Sequence, residues 1–230
     1  CKLHGRNACS SGCIFANRAP VPTGYQLVRA ERNRNPPLWQ TYATTRAAIK
    51  QEIGISTIPL EPYHPQSNMH VENEEPLDGG VNEWRLLHGT SLAACKGICG
   101  SNFRLKMAGS GATWKDEGET TGKPLYGYGV YFAECSTKAD EYAETIRGGL
   151  PIDEGCQAML VCRVTGGLCR YVDTNEFDAE LLRKDVLDGP YHSVFGDRVK
   201  KLGKPFREIV VHDNNQIFPE FILYYKQNFE

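Results

Sequence analysis

Short apolar runs, rather than one long period, set the pattern of this chain. Tyr25 to Ala30 alternates apolar with polar positions and predicts a strand. Asn35-Pro36-Pro37 then has the form of a helix start, with Asn capping and Pro in the first turn, where its missing N–H is no loss. Trp39, Tyr42, Ala43, Arg46, Ile49 and Ile53 follow at helical spacing, and Trp39 and Tyr42 are expected to bury against a sheet. Trp84 to His88 reads as a short apolar strand, and Ser91 to Ile98 as a helix stopped near Gly97 and Gly100. Tyr128 to Ala133 predicts another strand, and Thr137-x-x-Asp140 has the spacing of a capping box opening a helix that runs to about Ile146. Ala158 to Val164, Arg207 to Val211 and Glu220 to Tyr225 are β-branched or aromatic runs, as strands require. Strands outnumber helices and lack strict βαβ alternation. The prediction is α+β, with a largely antiparallel sheet and flanking helices.

Two connections interrupt this pattern. Gly54 to Asn82 carries four prolines and an acidic cluster (Glu72, Glu74, Glu75, Asp78), the composition of a solvated loop rather than of a domain boundary. Lys106 to Tyr126 is rich in Gly, Thr and charge, and also reads as loop. Residues 1–22 are irregular and Cys-containing, and residues 23–230 are expected to form one domain. The first residue is Cys1 rather than Met and no signal peptide follows it, so a piece of a longer protein is expected.

Composition narrows the classes. The 230 residues hold 26 basic and 28 acidic side chains, a formal net charge of -2, with no Lys/Arg run of the kind that tracks nucleic acid. No apolar stretch is long enough to span a membrane. Nine cysteines form no evenly spaced framework, and the expectation is reduced thiols in an intracellular protein, nuclear or cytoplasmic. Cys1, His4, Cys9 and Cys13 have the chemistry of zinc ligands but not a recognised spacing, and no metal is expected.

Candidate chemistry concentrates in three places: His88 in Leu86-Leu87-His88-Gly89-Thr90, Tyr131 in Tyr126-Gly127-Tyr128-Gly129-Val130-Tyr131-Phe132-Ala133, and Glu220 in Phe218-Pro219-Glu220-Phe221-Ile222-Leu223-Tyr224-Tyr225. Taken singly, each has an ordinary structural role: a histidine satisfied at a strand end, a tyrosine packed in a core, a glutamate at a strand terminus facing water. Taken together, their order and context resemble the His-Tyr-Glu signature of the diphtheria-toxin-like ADP-ribosyltransferases, the poly(ADP-ribose) polymerase family. The resemblance extends from about Tyr25 to the C-terminus through several ordered blocks, among them Tyr126–Tyr142, Met159–Thr165, Tyr191–Gly196 and Arg207–Tyr225. It implies a split, largely antiparallel ADP-ribosyltransferase sheet, and an enzyme that breaks the nicotinamide bond of NAD+ and passes ADP-ribose to an acceptor.

Chemistry and resemblance together assign roles. Nicotinamide leaves as a neutral base and positive charge develops on the ribose, as in glycoside hydrolysis, so a site needs an amide clamp, a flat wall and a fixed anion. The resemblance implies that Gly89 pairs with the carboxamide, that His88 bonds the adenosine ribose, and that Tyr131 and Tyr142 flank the nicotinamide ring. It places Thr90, Gly97, Arg104 and Ala139 at further nucleotide contacts, and Glu220 as the catalytic anion beside His88 and Tyr131. Ala139 stands where many members have a serine that bonds the carboxamide, so weaker donor binding is expected. The loop Lys106 to Leu125 matches the segment that covers the donor. No helical regulatory domain is expected, as in the tankyrase-like and mono-transferase branches. The interval where tankyrases carry zinc ligands, Arg147 to Gln157, offers only Cys156.

NAD+ is therefore the expected co-substrate. The expected acceptor is a protein, the chain itself included, or a growing ADP-ribose chain. A binding module with a weakened site and an NAD+ glycohydrolase with water as acceptor are the alternatives.

Overall fold

A computed structural model describes residues 22–65, 71–72, 74–107, 124–174, 178–202 and 206–229. Eight strands form one sheet: β1 (Gly24–Arg32), β2 (Glu83–Gly89), β3 (Val130–Ala133), β4 (Gln157–Thr165), β5 (Cys169–Val172), β6 (Ser193–Asp197), β7 (Arg207–Val211) and β8 (Ile217–Asn228). Their order across the sheet is β1-β8-β4-β2-β3-β7-β6-β5. Every neighbouring pair is antiparallel except β5 with β6. Among the described residues, five helices flank it: α1 (Pro36–Ile55), α2 (Leu92–Ser101), α3 (Ser136–Asp140), α4 (Ala179–Leu187) and α5 (Arg198–Leu202). The architecture is the α+β arrangement expected from the sequence.

Local chemistry explains most element ends. The Asn35 side chain accepts the Leu38 N–H at the start of α1, and Ser91 does the same for Ala94 at the start of α2. α2 stops at Asn102, which takes a left-handed φ of 66° and ties the following turn down. Its side chain accepts the Phe103 N–H and donates to the Asn214 and Ile217 carbonyls. The core alternates along the strands as a two-sided sheet demands. Trp84, Leu86, Leu160, Cys162, Ile222 and Tyr224 face one side with Cys95 of α2, while Leu87, Met159, Val161 and Tyr225 face the other with Ala139 of α3.

Two expectations are corrected. The helix expected from Thr137 to Ile146 ends at Asp140, because Thr145 is drawn into a β-bridge with Gln157 and Ile146 bonds Cys156. The capping box does not form: the N-cap is Cys135, which makes no side-chain capping bond, and the Asp140 carboxylate is engaged elsewhere. β5, β6, α4 and α5 were not individually anticipated. Among the described residues no helix is long and apolar enough to cross a membrane. Cys1, His4, Cys9 and Cys13, and positions 108–123 of the expected donor loop, lie outside the described residues.

Candidate active site

The sheet parts in the middle. β2 and β3 pair only through Leu87 and Ala133, so the strands diverge at the next positions, beside His88, Gly89 and Tyr131. A cavity of about 570 Å³ opens there, within the range typical of ligand sites. His88, Gly89, Thr90, Gly97, Arg104, Tyr131, Ala139 and Tyr142 all line it. Residues spread over more than fifty positions of sequence thus share one wall system built from β2, α2, β3 and α3.

Neighbouring groups set the key polar side chains of the cavity. The Nδ1 of His88 lies 3.0 Å from the Tyr131 carbonyl oxygen, which can only accept, so Nδ1 carries the hydrogen and Nε2 keeps a lone pair. Burial lowers the pKa of His88, opposed by that backbone bond, so the imidazole is neutral near pH 7. Phe103 packs edge-on against its ring, with centroids 5.0 Å apart.

The Tyr131 hydroxyl is fully occupied. It accepts the Tyr126 N–H at 2.7 Å and donates to the Gly127 carbonyl at 2.9 Å. Burial pushes its pKa up, so it is neither acid nor base here, and the pinned ring is what it offers. Gly127 permits this turn with a φ of 84°. Gly89 is obligatory for a different reason: a Cβ there would collide with the backbone carbonyl of Ala139. Its bare backbone faces α3 closely enough to form one side of a narrow slot.

Glu220 does not line this cavity, and its expected place as the anion beside His88 and Tyr131 is corrected. It lies on β8, separated from β3 by β4 and β2, three strand spacings or about 14 Å across the sheet. Its side chain is buried between two guanidinium groups. Arg85 Nε approaches at 2.7 Å and Arg163 Nε at 3.0 Å. Burial would raise its pKa, but the bonds from Arg85 and Arg163 and their charges outweigh that and hold it low. Arg163 also reaches Glu83, which accepts from Tyr42 at 2.6 Å and from Arg46 at 3.0 Å. Glu220 therefore belongs to an ion network that seats α1 on the sheet.

A different carboxylate occupies the cavity. Glu208 of β7 stands opposite Ala133, and Tyr131 opposite Val210, so Glu208 and Tyr131 project from the same face of adjacent strands. Glu208 lines the cavity with His88 and both tyrosines. Loss of water raises its pKa, opposed by the charges of Lys138 and Arg198. Lys138 completes the wall. Its ammonium donates to Glu141 at 2.8 Å and to the Tyr142 hydroxyl at 3.1 Å. Sequence reasoning missed both groups. The Arg207-Glu208-Ile209-Val210-Val211 run was visible as a strand, but strand order was not.

A sheet split beside a cavity, with a neutral histidine, two tyrosine rings and a half-buried carboxylate, is a scaffold suited to a nucleotide with a flat cationic base. The model of the poly(ADP-ribose) polymerase catalytic domain matches residues 12–193. The chain belongs to that family. It is similar to the protein mono-ADP-ribosyltransferase PARP11 of Mus musculus and of Homo sapiens, 23% identical over 211 residues in each case, which is 86% of this chain. The chain spans about half the length of these curated relatives, 52% and 51%. The matched residues stop before Glu208 and Glu220, so the choice between the two carboxylates rests on geometry.

Proposed function

We propose that the cavity binds NAD+ with its nicotinamide between Tyr131 and Tyr142, and transfers ADP-ribose to a protein acceptor with Glu208 as the essential anion. His88 Nε2 accepts a ribose hydroxyl hydrogen, consistent with its neutral form and its Nδ1 anchor. The Gly89 backbone pairs with the carboxamide, where only a residue without Cβ leaves room. Gly97 and Arg104 take the adenosine side. Ala139 offers no hydroxyl to the carboxamide, and one neutral hydrogen bond fewer weakens binding by about 0.5–1.5 kcal/mol.

The two aromatic faces and the carboxylate divide the work. Stacking on a pyridinium stabilises the charged ground state by about 0.5–2 kcal/mol, so the rings hold and orient the donor. They favour the cation over the departing neutral base and cannot lower the barrier. The barrier falls only through a group that stabilises charge developing on the ribose, and of the two carboxylates that line this cavity, Glu144 and Glu208, it is Glu208 that stands on the strand next to Tyr131. Ionised, it also accepts the hydrogen of a ribose or acceptor hydroxyl.

The observation that carries the reading is that His88, Tyr131 and Glu208, on the three neighbouring strands β2, β3 and β7, line one cavity. The test is incubation with NAD+ labelled in the adenylate. Label on protein together with free nicotinamide supports transfer. Free ADP-ribose without protein label supports hydrolysis, and retained NAD+ supports a binding module. The same gel separates single-unit modification from chains. The described cysteines are free thiols, which fits an intracellular, reducing location.

A further inference from the structure

α3 is a poor candidate for a rigid wall, yet it carries one. It has five residues and no side-chain cap bond at its N-terminus. A helix this short has no stability of its own in water. Even so, Lys138 and Ala139 within it, and Tyr142 just beyond it, line the cavity. Something outside the cavity must fix it.

Asp140, the last residue of α3, is buried and points away from the cavity lining. Its carboxylate collects hydrogen bonds from three neutral donors on the far edge of the sheet. The Tyr225 hydroxyl donates at 2.6 Å, the Tyr25 hydroxyl at 3.2 Å, and the Gln227 amide at 2.9 Å to each oxygen. Among the described residues no basic side chain pairs with it, so directional bonds from three donors rather than a diffuse charge contact define its place. The rings of Tyr25 and Tyr225 meet edge-to-face with centroids 5.5 Å apart, and both pack in the same apolar cluster as Ala139. Directly behind Gly89 sits the Ala139 carbonyl, one residue before Asp140. A shift of Asp140 is therefore a shift of the slot between Gly89 and Tyr142.

We infer that Asp140 is a positioning residue. Its three-donor lock ties α3 to β1 and β8 and sets affinity for the nicotinamide half of the donor without touching it. The inference rests on the proposed placement of nicotinamide between Tyr131 and Tyr142. It predicts a split between the two halves of the ligand, which a general loss of stability would not produce.

The experiment compares wild type, Asp140→Ala, Asp140→Asn and Tyr225→Phe, measuring the affinity of nicotinamide and of ADP-ribose separately, with thermal unfolding alongside. Asp140→Ala is expected to weaken nicotinamide about tenfold or more, as displacements near 1 Å do, while ADP-ribose weakens less than about threefold. Asp140→Asn restores only part of the loss, because its amide oxygen still accepts from Tyr225 while an NH2 replaces the oxygen that accepts from Tyr25. Tyr225→Phe keeps the ring, removes the shortest bond and falls between. Should Asp140→Ala fail to fold, Tyr225→Phe and Asp140→Asn carry the same comparison. Parallel weakening of both ligands, or no weakening of either in folded variants, overturns the lock while leaving the reading of the cavity intact. A wild-type chain that binds neither ligand overturns that reading and the lock with it.

Discussion

Exchanging Glu208 for Gln and, separately, Glu220 for Gln asks the same chemical question of two carboxylates with opposite placements. Glu208→Gln removes charge from the cavity and leaves the ion network intact. Loss of one positioned electrostatic group lowers turnover by about 10²–10³-fold, and the expected change lies in kcat rather than in donor affinity. Glu220→Gln removes the anion from between Arg85 and Arg163, whose side chains are only 4% and 1% exposed. Breaking a buried pair in this way costs about 3–5 kcal/mol. At about 2–4 °C per kcal/mol for a domain of this size, the unfolding midpoint drops by about 6–20 °C. Label transfer from NAD+ at a temperature where both variants are folded, read beside thermal unfolding, separates the two effects. Glu208→Gln with near-wild-type turnover refutes the assignment. So does Glu220→Gln with an unchanged midpoint and a hundredfold loss of rate.

Other expectations follow from the same geometry. Gly89→Ala places a methyl group against the Ala139 carbonyl and is expected to abolish detectable NAD+ binding, measured by titration calorimetry, while the sheet still folds. Tyr131→Phe keeps the ring but frees the Tyr126–Gly127 turn, and a loss of about 1–3 kcal/mol in stability is expected from chemical denaturation, with severalfold weaker donor binding. The raised pKa of Glu208 means its ionised form is lost at a higher pH than for an ordinary glutamate, so the acid limb of the kcat profile sits above about pH 4.3 and disappears in Glu208→Gln. Glu220 has the opposite sign. Its depressed pKa gives stability that is present above about pH 4.3 and is lost as pH falls through the lower folded value, an acid transition that denaturation at stepped pH reports and Glu220→Gln lacks.

Periodicity and capping chemistry made much of this protein legible in one dimension. The Asn35-Pro36-Pro37 start of α1, the strand at Arg207–Val211 and the predominance of strands over helices all follow from side-chain spacing and local hydrogen bonding. The residues that line the cavity from β2, β3 and α2 were visible too, because Leu-Leu-His-Gly-Thr and Tyr-Gly-Val-Tyr-Phe-Ala keep their chemistry within a few residues of chain. Which carboxylate joins them was not. Pro219-Glu220-Phe221 and Arg207-Glu208-Ile209 look alike as a glutamate entering an apolar strand, and only the order β8-β4-β2-β3-β7 puts one among arginines and the other in the cavity. The same holds for Asp140. Its spacing from Thr137 advertised a cap, yet three donors 85 to 115 residues away claim its oxygens. Spacing along a chain fixes what a residue can do with its near neighbours, whereas strand pairing decides which distant groups arrive beside it, and in this sheet that pairing puts Glu208 in the cavity and Glu220 in the ion network.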